Sequence, residues 1–156
     1  MWWLAGGPQR PEEREFMTAL RAEAKLAGLN DRIRWLGQRA DVPTLFAAAD
    51  LHCQPNLEPE PFGVAFVEAL AAGLPVVSAR HGGVVEIVDR SCGQLVAPRD
   101  AQALADALRT LVEDDGYRRQ LADGAQERAR LVSDPLTQVR RLAEALADLG
   151  PLELAG

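Results

Sequence analysis

Residues 60–79 read EPFGVAFVEALAAGLPVVSA, a helix and a strand joined by a tight stop. The helical part, VAFVEALAA, carries a single charge, Glu68. A surface helix keeps one polar side, so a helix with almost none is expected to be buried nearly all round. Gly73-Leu74-Pro75 ends it, because glycine stops helices readily and proline cannot continue them. Val76 and Val77 then read as a short buried strand. Two carboxylates, Glu60 and Glu68, bracket the Phe62-Gly63 approach to the helix. A lone carboxylate inside a buried helix is costly unless something partners it. The partner is either an arginine or a capping amide, or else a polar ligand lying across the start of the helix.

Outward from this stretch, short apolar runs alternate with helical spacing. Towards the N-terminus, Trp2 to Ala5 reads as a strand closed by Gly6-Gly7-Pro8. Residues 12–27 follow as a helix with Phe16, Leu20 and Leu26 on or near one face, stopped by Gly28. Ile33, Trp35 and Leu36 form a second strand. Residues 42–49 form a short helix with Asp41 as its cap and Pro43 in its first turn. Residues 51–54 form a third strand, and a loop rich in proline and glutamate, residues 55–61, leads back to the central stretch. Towards the C-terminus, residues 82–88 read as a short helix and residues 94–96 as a last strand. Asp100 caps an amphipathic helix in which Leu104, Leu108, Leu111 and Val112 recur at three and four. Two further helices, 117–131 and 135–149, precede a tail, PLELAG, expected to fray.

Strands alternating with helices predict an α/β fold with a doubly wound, Rossmann-like parallel sheet. Such sheets bind ligands beyond the carboxyl ends of their strands. Residues 55–63 leave a strand at that end and enter a helix, so they occupy the expected place.

Composition narrows the function classes. The chain has 156 residues, 47% hydrophobic and 26% charged, which are globular values amounting to one domain or to part of a larger protein. A net charge of −6 with no basic run argues against a nucleic-acid binder. No apolar run approaches the roughly 18 residues of a membrane span, and MWWLAGG lacks a signal peptide's basic flank. The expected location is therefore cytoplasmic. Cys53 and Cys92 are too far apart for a local metal knuckle and are expected as buried free thiols, with no metal site. His52 reads as structural. His81 lies in a loop after a strand, a better place for function, although a lone loop histidine is usually only solvated.

The chemistry of the central stretch is that of an anion and several hydroxyls. A helix N-terminus offers free amides and partial positive charge, and Gly63 lets the backbone approach closely. Glu60 and Glu68 are poor phosphate ligands and good acceptors from sugar hydroxyls. Eight helical residues rise on the order of 12 Å at ~1.5 Å each, and Glu60, ahead of the helix, shortens that gap. A nucleotide sugar has this layout of hexose, diphosphate and ribose.

The pattern E-P-F-G-x4-E-A-L-A-x-G-x-P-V-V over residues 60–77 resembles the retaining glycosyltransferases of the two-lobed GT-B fold, in the large family of glycosyl transferases group 1. WWLAGGPQ, DRIRWLGQR, AADLHCQPN, HGGVVEIVD and GQLVAPRDAQALADAL are similar to other segments of that family, so the resemblance runs to about Leu131. It implies that residues 1–150 are the nucleotide-sugar-binding C-terminal lobe of a GT-B enzyme, with 151–156 as a frayed tail. It implies that Glu60 is catalytic, gripping the donor sugar and supporting charge at the anomeric carbon. The Phe62, Gly63 and Val64 backbone would face sugar and diphosphate, Glu68 the ribose hydroxyls, and the Arg39 backbone the base. The implied partner is a UDP-, GDP- or ADP-hexose, with no metal or other cofactor, and the parent enzyme would associate peripherally with membranes.

The sequence departs from the family at Val85, where a proline is common. By the resemblance it is also expected to begin after the acceptor-binding lobe and after the first strand and helix of the donor lobe. In the usual 3-2-1-4-5-6 order that strand is central, so the Trp2 strand is expected to lack a neighbour and to expose a ladder edge. The chain alone is accordingly expected not to catalyse. The alternatives are a non-catalytic remnant or interaction module of the family, and a nucleotide-sugar epimerase relative.

Overall fold

The computed structural model describes residues 1–148, so the expected tail and Leu149 lie outside the described residues. The chain divides into two compact units, Met1–Val42 and the residues from Pro43 onward. The first holds β1 (Trp2–Ala5), α1 (Pro11–Leu26) and β2 (Ile33–Gly37). The second holds nearly all of α2 (Val42–Ala47), then β3 (His52–Gln54), α3 (Val64–Ala71), β4 (Val76–Ala79), α4 (Val84–Ile87), β5 (Gly93–Val96), α5 (Ala101–Glu113), α6 (Asp115–Ser133) and α7 (Pro135–Asp148). The fold is α/β with parallel sheets.

In the first unit β1 and β2 pair in parallel, Trp2 opposite Ile33 and Leu4 opposite Trp35. The Arg21 guanidinium lies over the Trp35 ring, 4.9 Å from its centre. The helix between the strands turns Met17, Leu20 and Ala24 towards cover, leaving Phe16 and Leu26 exposed. That corrects the expected apolar face, since the covered positions run 17, 20 and 24.

In the second unit β3, β4 and β5 form one parallel sheet with β4 at its centre. Helices cover both of its faces, as a doubly wound sheet requires. Val76 packs into a core with Phe66, Ala69 and Leu70 of α3, Val84 and Ile87 of α4, and Ala125 and Ala129 of α6. Val77, its neighbour in sequence, points the other way into a core with Ala107 and Leu111 of α5 and Leu121 of α6. The period of two along a strand sends adjacent valines to opposite faces. Among the described residues β1 pairs with β2 alone and β3 with β4 alone, so each sheet ends in an edge there.

Several boundaries follow from caps. Asp100 accepts from the Ala103 amide at 2.8 Å and starts α5 where expected. Asp114 accepts from the Tyr117 amide at 2.8 Å, so α6 begins two residues ahead of its expected start. Asp41 precedes α2, but its carboxylate is held by the Arg39 guanidinium at 2.7 and 2.8 Å and does not serve as the expected cap. Val112, expected on the apolar stripe of α5, is exposed; Leu104, Ala107, Leu108 and Leu111 form that stripe.

The central helix departs most from expectation. Phe66, Ala69 and Leu70 are buried, whereas Val64, Glu68 and Ala71 are exposed. Positions 64, 68 and 71 share one face at helical spacing. Glu68 is therefore the polar mark of an outward stripe and not a charge inside a buried helix. Alanine and valine on that stripe hid it from a reading based on charge.

Candidate functional site

The carboxyl ends of β3 and β4 each release a loop, residues 55–63 and 80–83. Three hydrogen bonds fasten these segments together. The Ser78 hydroxyl donates to the Gln54 carbonyl at 2.7 Å. The His81 Nε2 lies 2.8 Å from the Asn56 carbonyl oxygen. The Gly83 amide donates to the Glu60 carbonyl at 2.7 Å, beside a parallel bridge between Glu60 and Gly82. A carbonyl only accepts, so His81 Nε2 is the donor in this contact.

The fit leaves no room for side chains. A Cβ on Gly82 would lie 2.5 Å from the Glu60 carbonyl oxygen, and one on Gly83 would lie 2.5 Å from the Phe62 oxygen. Backbone atoms cannot swing aside, so the two glycines are what lets the loops touch. Gly63 has φ 93°, a left-handed conformation costly for any other residue, and a Cβ there would meet the Phe66 ring at 2.5 Å. It turns the chain into α3. The amides of Val64 and Ala65, in the first turn of α3, donate to no acceptor among the described residues.

Glu60 is half-buried, with its carboxylate Oε2 3.5 Å from the Asn56 side-chain amide. Phe62 and Val64 are 57% and 59% exposed, so the approach to the helix is open to solvent. Glu68 lies one turn after Val64 on the same exposed face. It has no hydrogen-bond partner among the described residues, so desolvation does not oblige it to find one. The structure thus groups Glu60, Phe62, Gly63 and Val64 at the start of α3 and sets Glu68 one turn further on. Arg39 belongs to the first unit, after β2, where its side chain pairs with Asp41.

Asn56, Gly82 and Gly83 were not singled out from the sequence, and His81 was noted only as a loop histidine. A glycine pair directly after the end of a strand was the signal for close backbone approach. His52, read as structural, sits edge-on between Phe46 and Phe66 at 5.5 and 5.8 Å. Its Nε2 is buried without a partner, and burial holds its pKa below the ordinary value, with a smaller opposing pull from Gln54. Burial pushes the Cys53 thiol up to about 12 and raises Cys92 as well, so both stay protonated. Among the described residues no three of His, Cys, Asp or Glu gather as a metal site.

A cleft of about 600 Å³ opens near the junction of α6 and α7, lined by Glu86, Arg128, Asp134, Thr137 and Arg141 among others. Arg128 is committed there to the protein: it donates to the carbonyls of Ile87 and Glu86 at 2.7 and 2.6 Å and lies 3.3 Å from the Asp89 carboxylate. It ties α4 to α6. The open amides and the held carboxylate lie instead at the start of α3.

Comparison with known proteins identifies the family. The sequence model of the family described as Glycosyl transferases group 1 matches residues 4–128. A phosphatidyl-myo-inositol mannosyltransferase of Mycobacterium leprae (strain TN) is 40% identical over 136 residues, covering 84% of this chain and 36% of that protein. The crystal structure of Anabaena Alr3699/HepE in complex with UDP superposes with a TM-score of 0.84 at 36% identity, covering 94% of this chain and 40% of the other. The same protein in complex with UDP-glucose gives 0.82. The chain spans little more than a third of the length of the mannosyltransferase. With 125 consecutive positions fitting one family, from Leu4 to Arg128, the chain belongs to the glycosyl transferases group 1.

Proposed function

We propose that this chain is the donor-binding part of a glycosyltransferase that moves a hexose from a nucleotide sugar to an acceptor with retention of configuration. The observation that carries the proposal is the start of α3. Unpaired amides of Val64 and Ala65 lie beyond a glycine that admits no side chain, with the Glu60 carboxylate alongside. Free amides at a helix start receive a phosphate, and a carboxylate receives hydroxyls. Glu60 accepts from the donor hexose and stabilises charge at its anomeric carbon. The Phe62, Gly63 and Val64 backbone faces sugar and diphosphate, and Glu68 accepts from the ribose. A role for the Arg39 backbone at the base is proposed separately, on the likeness of residues 31–39 to the family. The leaving phosphate helps to take the acceptor's proton on the face it vacates. Backbone amides carry the diphosphate charge without a metal, so binding should survive a chelator. That Alr3699/HepE forms complexes with UDP and UDP-glucose supports UDP-sugars as the first probes.

Calorimetry of the chain with UDP-glucose, GDP-mannose and ADP-glucose tests the proposal. One of the three should bind, and Glu68→Ala should weaken nucleotide affinity about tenfold. In a complete enzyme Glu60→Ala should cut turnover about a hundredfold or more with little change in nucleotide binding. Equal effects of both substitutions on nucleotide affinity contradict the assigned roles. A module that holds nucleotide without turnover is the second reading. Hexose transfer by the chain itself rules that out.

A further inference from the structure

We infer that Asn56 is a positioning residue that sets the direction of the Glu60 carboxylate, with His81 holding Asn56 in register. Asn56 makes four hydrogen bonds although it lies in no helix or strand. Its amide nitrogen donates to the Gln54 carbonyl at 3.0 Å, and its carbonyl accepts from His81 Nε2 at 2.8 Å. Its side-chain Oδ1 accepts from Gln54 Nε2 at 3.3 Å, and its Nδ2 reaches Glu60 Oε2 at 3.5 Å. Backbone and side chain are both fixed, so the amide has one direction in which to donate, and Glu60 lies there.

The consequence is a divided carboxylate. Oε2 faces the Asn56 amide, and Oε1 accepts no hydrogen bond among the described residues. A carboxylate held by one oxygen presents the other to a ligand hydroxyl without first having to choose a rotamer. The 3.5 Å separation is long, as such contacts often are before a ligand arrives. This deepens the reading of Glu60 as the hexose acceptor and rests on it. It adds that discrimination between a nucleotide sugar and a bare nucleotide depends on a residue four positions earlier.

The test has two arms, both on the full chain. Without ligand, long-range proton–nitrogen NMR reads the His81 tautomer. The expected form carries a proton on Nε2, and a ring protonated on Nδ1 alone overturns the clamp. With ligand, calorimetry compares UDP-glucose with UDP for the wild type, Asn56→Ala, His81→Phe and His81→Gln. Asn56→Ala should lose about tenfold of the preference for UDP-glucose while UDP affinity stays within about twofold, one hydrogen bond to a charged group corresponding to that loss. His81→Phe should lose part of the preference and His81→Gln, whose amide can donate from the same place, should restore it. Equal weakening of both ligands by Asn56→Ala marks a merely structural loop residue and overturns the inference. Equal wild-type affinity for UDP and UDP-glucose also overturns it, while leaving nucleotide binding intact. If no nucleotide sugar binds the wild type, the hexose reading itself fails and the positioning role falls with it.

Discussion

β1 and β4 are both parallel strands of four residues, WWLA and VVSA, and they meet opposite fates. All four residues of β4 are buried, while Trp2 and Trp3 stay 36% and 41% exposed. The less bulky strand is the better covered one. β4 has a partner on each edge and helices on both faces, whereas β1 pairs with β2 alone among the described residues. Burial is therefore set by how many neighbours an element has, not by how apolar it is. A parallel strand reaches its full effect only inside a covered sheet.

The widest separation should come from one substitution made twice. Phe66 is fully buried and Phe16 is exposed. Phe66→Ala opens a cavity beneath α3 and should cost ~3–5 kcal/mol, whereas Phe16→Ala should change stability by less than about 0.5 kcal/mol. All three tryptophans lie in the first unit, so their fluorescence follows it, while helical ellipticity follows mainly the second. Urea titrations read both ways would break the contrast if the two substitutions cost the same.

A glycine pair sharpens it. A Cβ on Gly93 would lie 2.2 Å from the Val76 carbonyl oxygen, between paired strands that cannot part without losing the sheet. On Gly7 the nearest neighbour, the Gln38 amide nitrogen, would be at an ordinary 3.7 Å. Gly93→Ala should cost about 3 kcal/mol, and Gly7→Ala should be neutral within about 0.5 kcal/mol. Thermal melts of the two variants give the comparison directly.

The arginines rank next. Arg128→Ala strips donors from the carbonyls of Glu86 and Ile87 at the end of α4 and should cost ~1–3 kcal/mol. Arg39→Ala removes an exposed pair with Asp41 and should leave the urea midpoint unmoved. Faster amide exchange in α4 for Arg128→Ala would show that the loss is local to that tie.

Which of these features the sequence could announce follows from their range. Gly73-Leu74-Pro75, the Asp100 cap and the Val76-Val77 run act over a few residues, and helix, cap and strand stand where they were read. Gly63 stands at the entry to the helix, as read, but its left-handed backbone is a finding of the structure. The exposure of Glu68 was not, because Val64 and Ala71 on its face carry no charge to mark it. The orientation of α1 was missed in the same way, since Phe16 and Met17 serve equally well on paper. The hold of His81 on Asn56 spans 25 positions and exists only because β3 and β4 pair. Contacts made by sheet registration have no local signature, and the site depends on several of them.

The smallest expected effect bears on the core of the second unit. His52 stands between two phenylalanines with Nε2 unpaired, and burial holds its pKa below the ordinary value. The unfolded chain, with a histidine near its usual ~6.5, takes up a proton that the folded chain refuses. Stability is therefore complete above about pH 6.5 and declines as pH falls from there towards the folded-state pKa. The depressed carboxylates Asp41, Asp89, Asp106 and Asp134 act in a separate, more acid range, where falling pH removes what their partners contribute. His52→Phe keeps an aromatic between Phe46 and Phe66 and removes the unpaired nitrogen. It should match or exceed the wild type at pH 7.5 and flatten the decline between pH 6.5 and 5 in urea midpoints measured every half unit. An unchanged slope would mean that His52 is solvated in the native state, and the core of the second unit would then be wetter at β3 than its packing implies.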